Sequence, residues 1–232
     1  MRFLPNTPEG SRTPPTGRLS RYFGLFVPRV RLESLPITFP PAYSPRVRVV
    51  SGKWRGRRLR TPRGHAVRPT ADRVREAIFD ILGSGAEGAR VLDLFAGTGA
   101  LGLEALSRGA FSAVLVESDP RTFAVLRRNV LDLGANAAEI LPMDFRAAVR
   151  VLRGRDVRFD LVFLDPPYGK GIAERAAEAL AGARLLECGG TVVVEEAART
   201  PAPVFPAAWE RAGDKRYGDT RVMIFTVRKE RG

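Results

Sequence analysis

Residues 89–102 read ARVLDLFAGTGALG: a largely apolar run ending near an acid, a glycine-rich turn, and then the opening of a helix. No other segment restricts the fold as much. A short run this apolar fits a strand buried on both faces, as in a parallel sheet with helices packed on either side. The spacing Gly97-x-Gly99-x-x-Gly102 lets the backbone turn tightly against a ligand and aims free helix N–H groups at it. The same alternation continues downstream. SAVLVE (112–117), residues 138–141, FDLVFLD (159–165) and GTVVVEE (190–196) read as further strands. Helices are expected from the glycine-rich turn to about residue 108, and over 120–133, 145–153 and 171–183. Segments 209–215 and 221–228 are expected to pair antiparallel across a Gly-Asp turn at the sheet edge. The expectation is an α/β chain with a doubly wound, mainly parallel, seven-stranded Rossmann-like sheet, whose ligands sit beyond the carboxyl ends of the strands.

Charge divides the 232 residues unevenly. Residues 1–75 hold 17 Lys and Arg against 3 Asp and Glu, whereas residues 76–232 hold 21 against 22. A preference for Arg over Lys does not explain this segregation, which points to a polyanionic partner. Residues 1–45 carry 9 of the 18 prolines without periodicity and are expected to be a flexible tail. Their apolar stretch is too short for a secretory leader, so a cytoplasmic chain is expected. Residues 46–60 alternate briefly and turn through Ser51-Gly52 and Gly56, reading as a short basic β-ribbon with Trp54 near its tip. In the next segment Val74, Ala77, Ile78, Ile81 and Leu82 mark one apolar helix face, started at Pro69-Thr70 and stopped by Gly83. The domain reading is therefore a tail (1–45), a ribbon and helix (46–83) and an α/β body (84–232). One cysteine and one histidine argue against a disulfide framework and a zinc site, and no metal is expected. His65 reads as a loop residue and Cys188 as a packed small one.

Two constellations carry chemistry. Glu117 ends the strand after the glycine-rich turn, where a carboxylate accepts hydrogen bonds from ribose hydroxyls. Asp165-Pro166-Pro167-Tyr168 ends another strand. There a carboxylate and a proline carbonyl form an acceptor pair suited to an amine, and Tyr168 offers a face for a planar base. Such a set suits methylation of an exocyclic amine on a base taken out of its stack.

DLFAGTGALG with Glu117 and DPPY resembles the class I S-adenosylmethionine-dependent methyltransferases of exocyclic amines. With RVVSGKWRGRRLR, RPTADRVREAIFDIL, GLEALSRGA and RYGDT added, residues 46 onward resemble the RsmD family, bacterial methyltransferases of 16S rRNA acting on N2 of guanine 966. The resemblance implies that Asp93, Phe95, Ala96, Gly97, Thr98 and Gly99 line the methionine end of S-adenosylmethionine and that Glu117 binds its ribose. Asp144 and Phe145 would meet the adenine, although Asp144 also stands where a helix N-cap would. Thr70 and Arg68 would close over the cofactor. Asp165, Pro166, Pro167 and Tyr168 would form the catalytic set. Arg48, Lys53, Arg55, Arg57, Arg58 and Arg68 are expected to grip RNA phosphates, with Trp54 either stacking on a base or packing on the body. The expected partner is 16S rRNA, free or in an assembling small subunit, met by a monomer. Competing readings are the same chemistry on DNA adenine N6 or another rRNA guanine, and a nicotinamide-dependent oxidoreductase supported only by the glycine spacing.

Overall fold

The computed structural model describes residues 47–62, 70–168, 171–200 and 203–228. The proline-rich segment 1–45, His65, Arg68 and the side chain of Thr70 lie outside the described residues. Two two-residue strands, β1 (Val47–Arg48) and β2 (Arg58–Leu59), pair antiparallel as the ribbon. Helix α1 (Thr70–Leu82) leads to β3 (Arg90–Asp93), α2 (Ala100–Ser107), β4 (Ser112–Val116), α3 (Pro120–Leu133), β5 (Ala138–Leu141), α4 (Phe145–Gly154) and β6 (Phe159–Leu164). Helix α5 (Ile172–Ala183), β7 (Leu186–Ala197), β8 (Trp209–Tyr217) and β9 (Thr220–Val227) complete the described chain.

The seven body strands form one sheet in the order β5-β4-β3-β6-β7-β9-β8. Strands β3 to β7 are mutually parallel, while β9 runs antiparallel to both β7 and β8. The last strand in sheet order, β8, therefore points the same way as β3, β6 and β7. Its end at Tyr217 shares an edge of the sheet with their carboxyl ends.

Local chemistry explains the boundaries. Asp119 caps α3 by accepting the Thr122 N–H at 2.7 Å, Pro120 occupies the first helical turn, and Gly134 ends the helix at φ +63°. On one side of the sheet Leu92, Leu94, Val162, Leu164, Val192 and Val194 belong to a core that α4 and α5 cover. On the other, Phe79 of α1 meets Phe163 with ring centroids 5.7 Å apart.

The structure shifts two expectations. The buried arc of α1 is Val74, Arg75, Ile78 and Phe79, whereas Ile81 is 40% exposed. The helix is turned so that its aromatic ring and an arginine face inward together. Strand β7 begins at Leu186, and its register against β6 jumps from Phe159↔Leu186 to Leu161↔Thr191. The extra β7 residues bulge outward through Gly189 at φ +80°, which leaves Cys188 exposed, not packed.

Candidate active site

The glycine-rich turn joins β3 to α2 at the carboxyl edge. Gly99 takes φ +88°, and a Cβ there would press on Leu126 and Leu103, so only glycine closes this turn. Gly97 is also left-handed, at φ +54°, but a Cβ on it would meet nothing within 4 Å: its outer side is open. The Glu117 carboxylate accepts the Gly97 N–H at 3.0 Å and the Asp119 N–H at 2.7 Å. Those bonds fix the carboxylate beside the turn and leave lone pairs on both oxygens. Half-buried, Glu117 titrates above its ordinary value, chiefly because burial disfavours its charge.

Asp93 is 1% exposed. Its Oδ2 accepts the Gly102 N–H at 3.1 Å, but its buried Oδ1 has no hydrogen-bond partner. Burial, with the nearby charges of Asp165 and Glu117 added, raises its pKa to about 7. A buried acceptor with no donor and an open glycine beside it form a seat for a cationic group.

Next to this seat lies a cavity of about 170 Å³ lined by Phe95, Val116, Met143, Asp144, Phe145 and Pro167 among others. Phe95 and Phe145 approach with centroids 5.5 Å apart. Asp144 does both things the sequence allowed: its Oδ1 caps α4 by accepting N–H bonds from Arg146 (2.8 Å) and Ala147 (3.3 Å), and the residue borders the cavity. The walls are apolar and aromatic with a carboxylate at the rim, which suits a flat heterocycle bearing an amine.

Asp165 follows the last residue of β6 and is half-buried, Pro166 is buried, Pro167 is exposed and Tyr168 half-buried. Burial first, and the charge of Glu196 second, raise the Asp165 pKa to about 7. The sequence reading missed the acid beside it. Register pairs Leu164 with Val194, so Asp165 and Glu195 are next in line across β6 and β7. Burial and the charges of Asp165 and Asp93 hold the Glu195 carboxyl well above its ordinary range, against the pull of Arg75. Arg75 is 4% exposed, and its Nε has no hydrogen-bond partner. The only hint in the sequence was an acidic pair closing an apolar strand, which reads equally well as a surface end.

The ribbon is bound tightly to the body. Glu104 of α2 is fully buried and accepts the Val50 and Ser51 N–H groups at 2.7 and 2.9 Å and Arg108 Nε at 2.8 Å. Gly52, at φ +78°, passes so close to the Ser107 carbonyl that no side chain fits. Trp54 is buried, and its backbone N–H donates to Ser107 Oγ at 2.9 Å. Trp54 therefore packs on the body and leaves the set of base-contacting candidates. Its ring lies 4.2 Å beneath Lys53 Nζ. Arg48, Lys53, Arg55, Arg57 and Arg58 are exposed, although Arg57 Nη2 is held by the Asp132 carbonyl at 2.7 Å.

Known proteins resemble this chain over the same region. The family model described as conserved hypothetical protein 95 matches residues 47–226. The ribosomal RNA small subunit methyltransferase D of Escherichia coli strain K12 is 35% identical over 182 residues, which is 78% of this chain and 90% of that protein. Among solved structures, the yhhF protein of Escherichia coli superposes with a TM-score of 0.71 at 33% identity, covering 79% of this chain and 99% of that one. A conserved hypothetical protein of Streptococcus pyogenes gives 0.61 at 40% identity, over 66% and 94% of the two chains.

Proposed function

The chain belongs to the conserved hypothetical protein 95 family, and on that premise we propose that it transfers a methyl group from S-adenosylmethionine to the exocyclic N2 amine of a guanine in 16S rRNA. It does so in the cytoplasm and as a monomer. One observation carries the reading: Asp165 directly follows β6 beside both the Asp93 seat and the aromatic cavity, whose wall includes Pro167 of the same DPPY segment. A carboxylate meant for an amine and a pocket suited to an adenine share one edge of the sheet.

The residues present fit the cofactor. Asp93 Oδ1 is a buried acceptor in need of a donor, and the methionine ammonium is one. Glu117 keeps lone pairs for ribose hydroxyls, and the Phe95–Phe145 cavity with Asp144 at its rim suits the adenine. Ala96, Thr98 and Gly99 complete the turn that would hold the methionine end. Thr70 and Arg68 are assigned the closing side from the family resemblance. Bound there, S-adenosylmethionine supplies an electrophilic methyl group.

The protein's own part is to prepare the amine. The N2 lone pair of guanine is delocalised into the ring. Asp165 and the Pro166 carbonyl accept the two N–H hydrogens, which favours a pyramidal nitrogen with its lone pair free. Tyr168 stacks on the extruded base, and Pro167 stiffens the loop that carries them all. Positioning supplies much of the rate, and the Asp165 carboxylate stabilises positive charge growing on nitrogen. The amine proton, acidic once the methyl has arrived, passes to Asp165 or to water. The exposed cations Arg48, Lys53, Arg55, Arg57 and Arg58, with Arg68, hold RNA phosphates.

The test is to incubate the purified chain with labelled S-adenosylmethionine and 16S rRNA, both free and within small subunits, and to map the product by mass spectrometry. One N2-methylguanine, absent with Asp165→Ala although that variant still binds S-adenosylhomocysteine, is expected. A label on an adenine or on protein, or full turnover by Asp165→Ala, would overturn the assignment.

A further inference from the structure

The carboxyl edge of the sheet is used on only one side of Asp165. The cavity and the Asp93 seat draw on β3, β4 and the segments that follow β4 and β5, with Pro167 and Ile172 reaching in from beyond β6. On the other flank, β7 and β8 end and β9 begins at the same edge, and none of the three lines that cavity.

Register fixes what that flank presents. Glu195 of β7 pairs with Val222 of β9, and Val222 pairs with Lys215 of β8. Directly paired residues share a sheet face, so Lys215, Val222 and Glu195 form a row that leads into Asp165. Three strand spacings separate its ends, about 14 Å. Arg216 stands on the opposite face, paired with Arg221.

The charges of this hairpin sort into two groups. Arg221 Nε donates to Asp214 at 2.8 Å, Arg211 reaches the same carboxylate at 3.4 Å, and Arg228 meets Glu210 at 3.1 Å. Lys215 and Arg216 are exposed, and among the described residues neither forms an ion pair. Asp214, their nearest acid in sequence, is already taken up by Arg221 and Arg211. The tip that carries them is fixed in place: the Ala198 N–H donates to the Asp219 carbonyl at 2.8 Å, Thr220 is buried, and Gly218 turns the chain at φ +59°.

We propose that this hairpin tip is a second RNA-holding surface, on which Lys215 and Arg216 bind phosphates of the single-stranded segment running away from the target guanine. The inference rests on the rRNA reading and extends it. A base extruded into the Asp165 pocket stays attached to its strand on both sides. The donor cavity fills one flank of the pocket, so the strand leaves over the other, where two exposed cations stand without an ion pair among the described residues. A protein partner is the alternative occupant, and it would require no effect on naked RNA.

The experiment uses the full chain and a naked 16S rRNA fragment, with binding measured across a salt series. Replacing Lys215→Gln and Arg216→Gln together is expected to make the log–log salt slope shallower by about 1.4 and to weaken binding roughly tenfold at moderate salt. S-adenosylhomocysteine affinity should stay within about twofold, and Lys215→Arg alone should keep the parental slope. An unchanged slope overturns the proposal, and so does a parallel loss of S-adenosylhomocysteine binding, which would mark the tip as structural. Methyl incorporation is scored separately in the same samples. A hairpin-dependent slope without methyl transfer would sink the proposed reaction and leave this surface standing, whereas transfer with an unaltered slope would do the reverse.

Discussion

Asn129 and Arg60 exchange hydrogen bonds in both directions: Asn129 Oδ1 accepts the Arg60 N–H at 2.8 Å, and Asn129 Nδ2 donates to the Arg60 carbonyl at 3.1 Å. The same Nδ2 donates to the Thr98 carbonyl at 2.9 Å. One buried amide on α3 thus holds the end of the ribbon and the glycine-rich turn together.

Asn129→Asp tests that arrangement, because a carboxylate keeps the acceptor and removes both donated bonds. Two part-buried carbonyls are then left facing a negative charge, at a cost of about 2–3 kcal/mol. Urea unfolding should show this loss, and S-adenosylhomocysteine affinity should fall with it because Thr98 is released. Full stability in the variant would contradict the role given to this amide.

Glu104 ties the ribbon to α2 more strongly still. Glu104→Ala leaves the Val50 and Ser51 N–H groups without their acceptor, strands the Arg108 guanidinium and removes the carboxylate 3.8 Å from Arg75 Nε. Breaking a buried charged set of this kind costs about 3–5 kcal/mol. Limited trypsin digestion should then cut at Arg55, Arg57 or Arg58 well before the parent chain is cut there. Equal digestion rates would contradict this account.

The Asp93 carboxyl makes stability depend on pH. Folded, it keeps its proton up to about pH 7, whereas an ordinary aspartate releases it near 3.8. Between those values the folded state binds more protons, so stability falls as pH rises, by at most about 4 kcal/mol. Asp93→Asn should therefore raise the Tm of the ligand-free protein at pH 8 and leave it nearly unchanged at pH 4. The same variant should bind S-adenosylhomocysteine more weakly. A lower Tm at pH 8 would show that the ionised carboxylate is already stabilised within the protein.

Asp165 sets the pH dependence of the reaction with the opposite sense. In the proposed reaction its carboxyl has to be ionised to accept the amine hydrogens, and its pKa is raised to about 7. The rate under saturating substrates is expected to climb as pH passes through 7 and to level above it. Asp165→Asn should abolish that limb and lower kcat by about 100-fold or more, with S-adenosylhomocysteine binding retained. A limb that survives the substitution would assign it to another group.

Much of this was legible because it is periodic or local. Strand α/β alternation, the glycine-rich turn and helix α3, with its Asp119-Pro120 start and Gly134 stop, follow from residues close together in sequence. The capping role of Asp144 was legible for the same reason. What escaped depends on register and on distant partners. Glu195 gains its meaning only when β7 slides against β6 so that it falls beside Asp165, and the bulge that sets this slide also exposes Cys188. The inward turn of Arg75 follows from Glu104, 29 residues away, and from the Arg48 carbonyl, which accepts from Arg75 Nη2 at 2.6 Å. Trp54 was ambiguous in sequence because an aromatic residue in a basic segment serves burial and stacking equally well.

The way the ribbon is anchored also bears on how the chain is made. Its partners Glu104, Ser107, Asn129 and Asp132 lie 53 to 75 residues further along. On a ribosome it is therefore synthesised before anything it can dock against, and closing such long loops is slow. Until α3 has left the exit tunnel, the Asp132 carbonyl that holds Arg57 Nη2 is not there to meet it. In that interval the nascent polypeptide presents the exposed side chains of Arg48, Lys53, Arg55, Arg57 and Arg58 beside the RNA-rich particle that is making it.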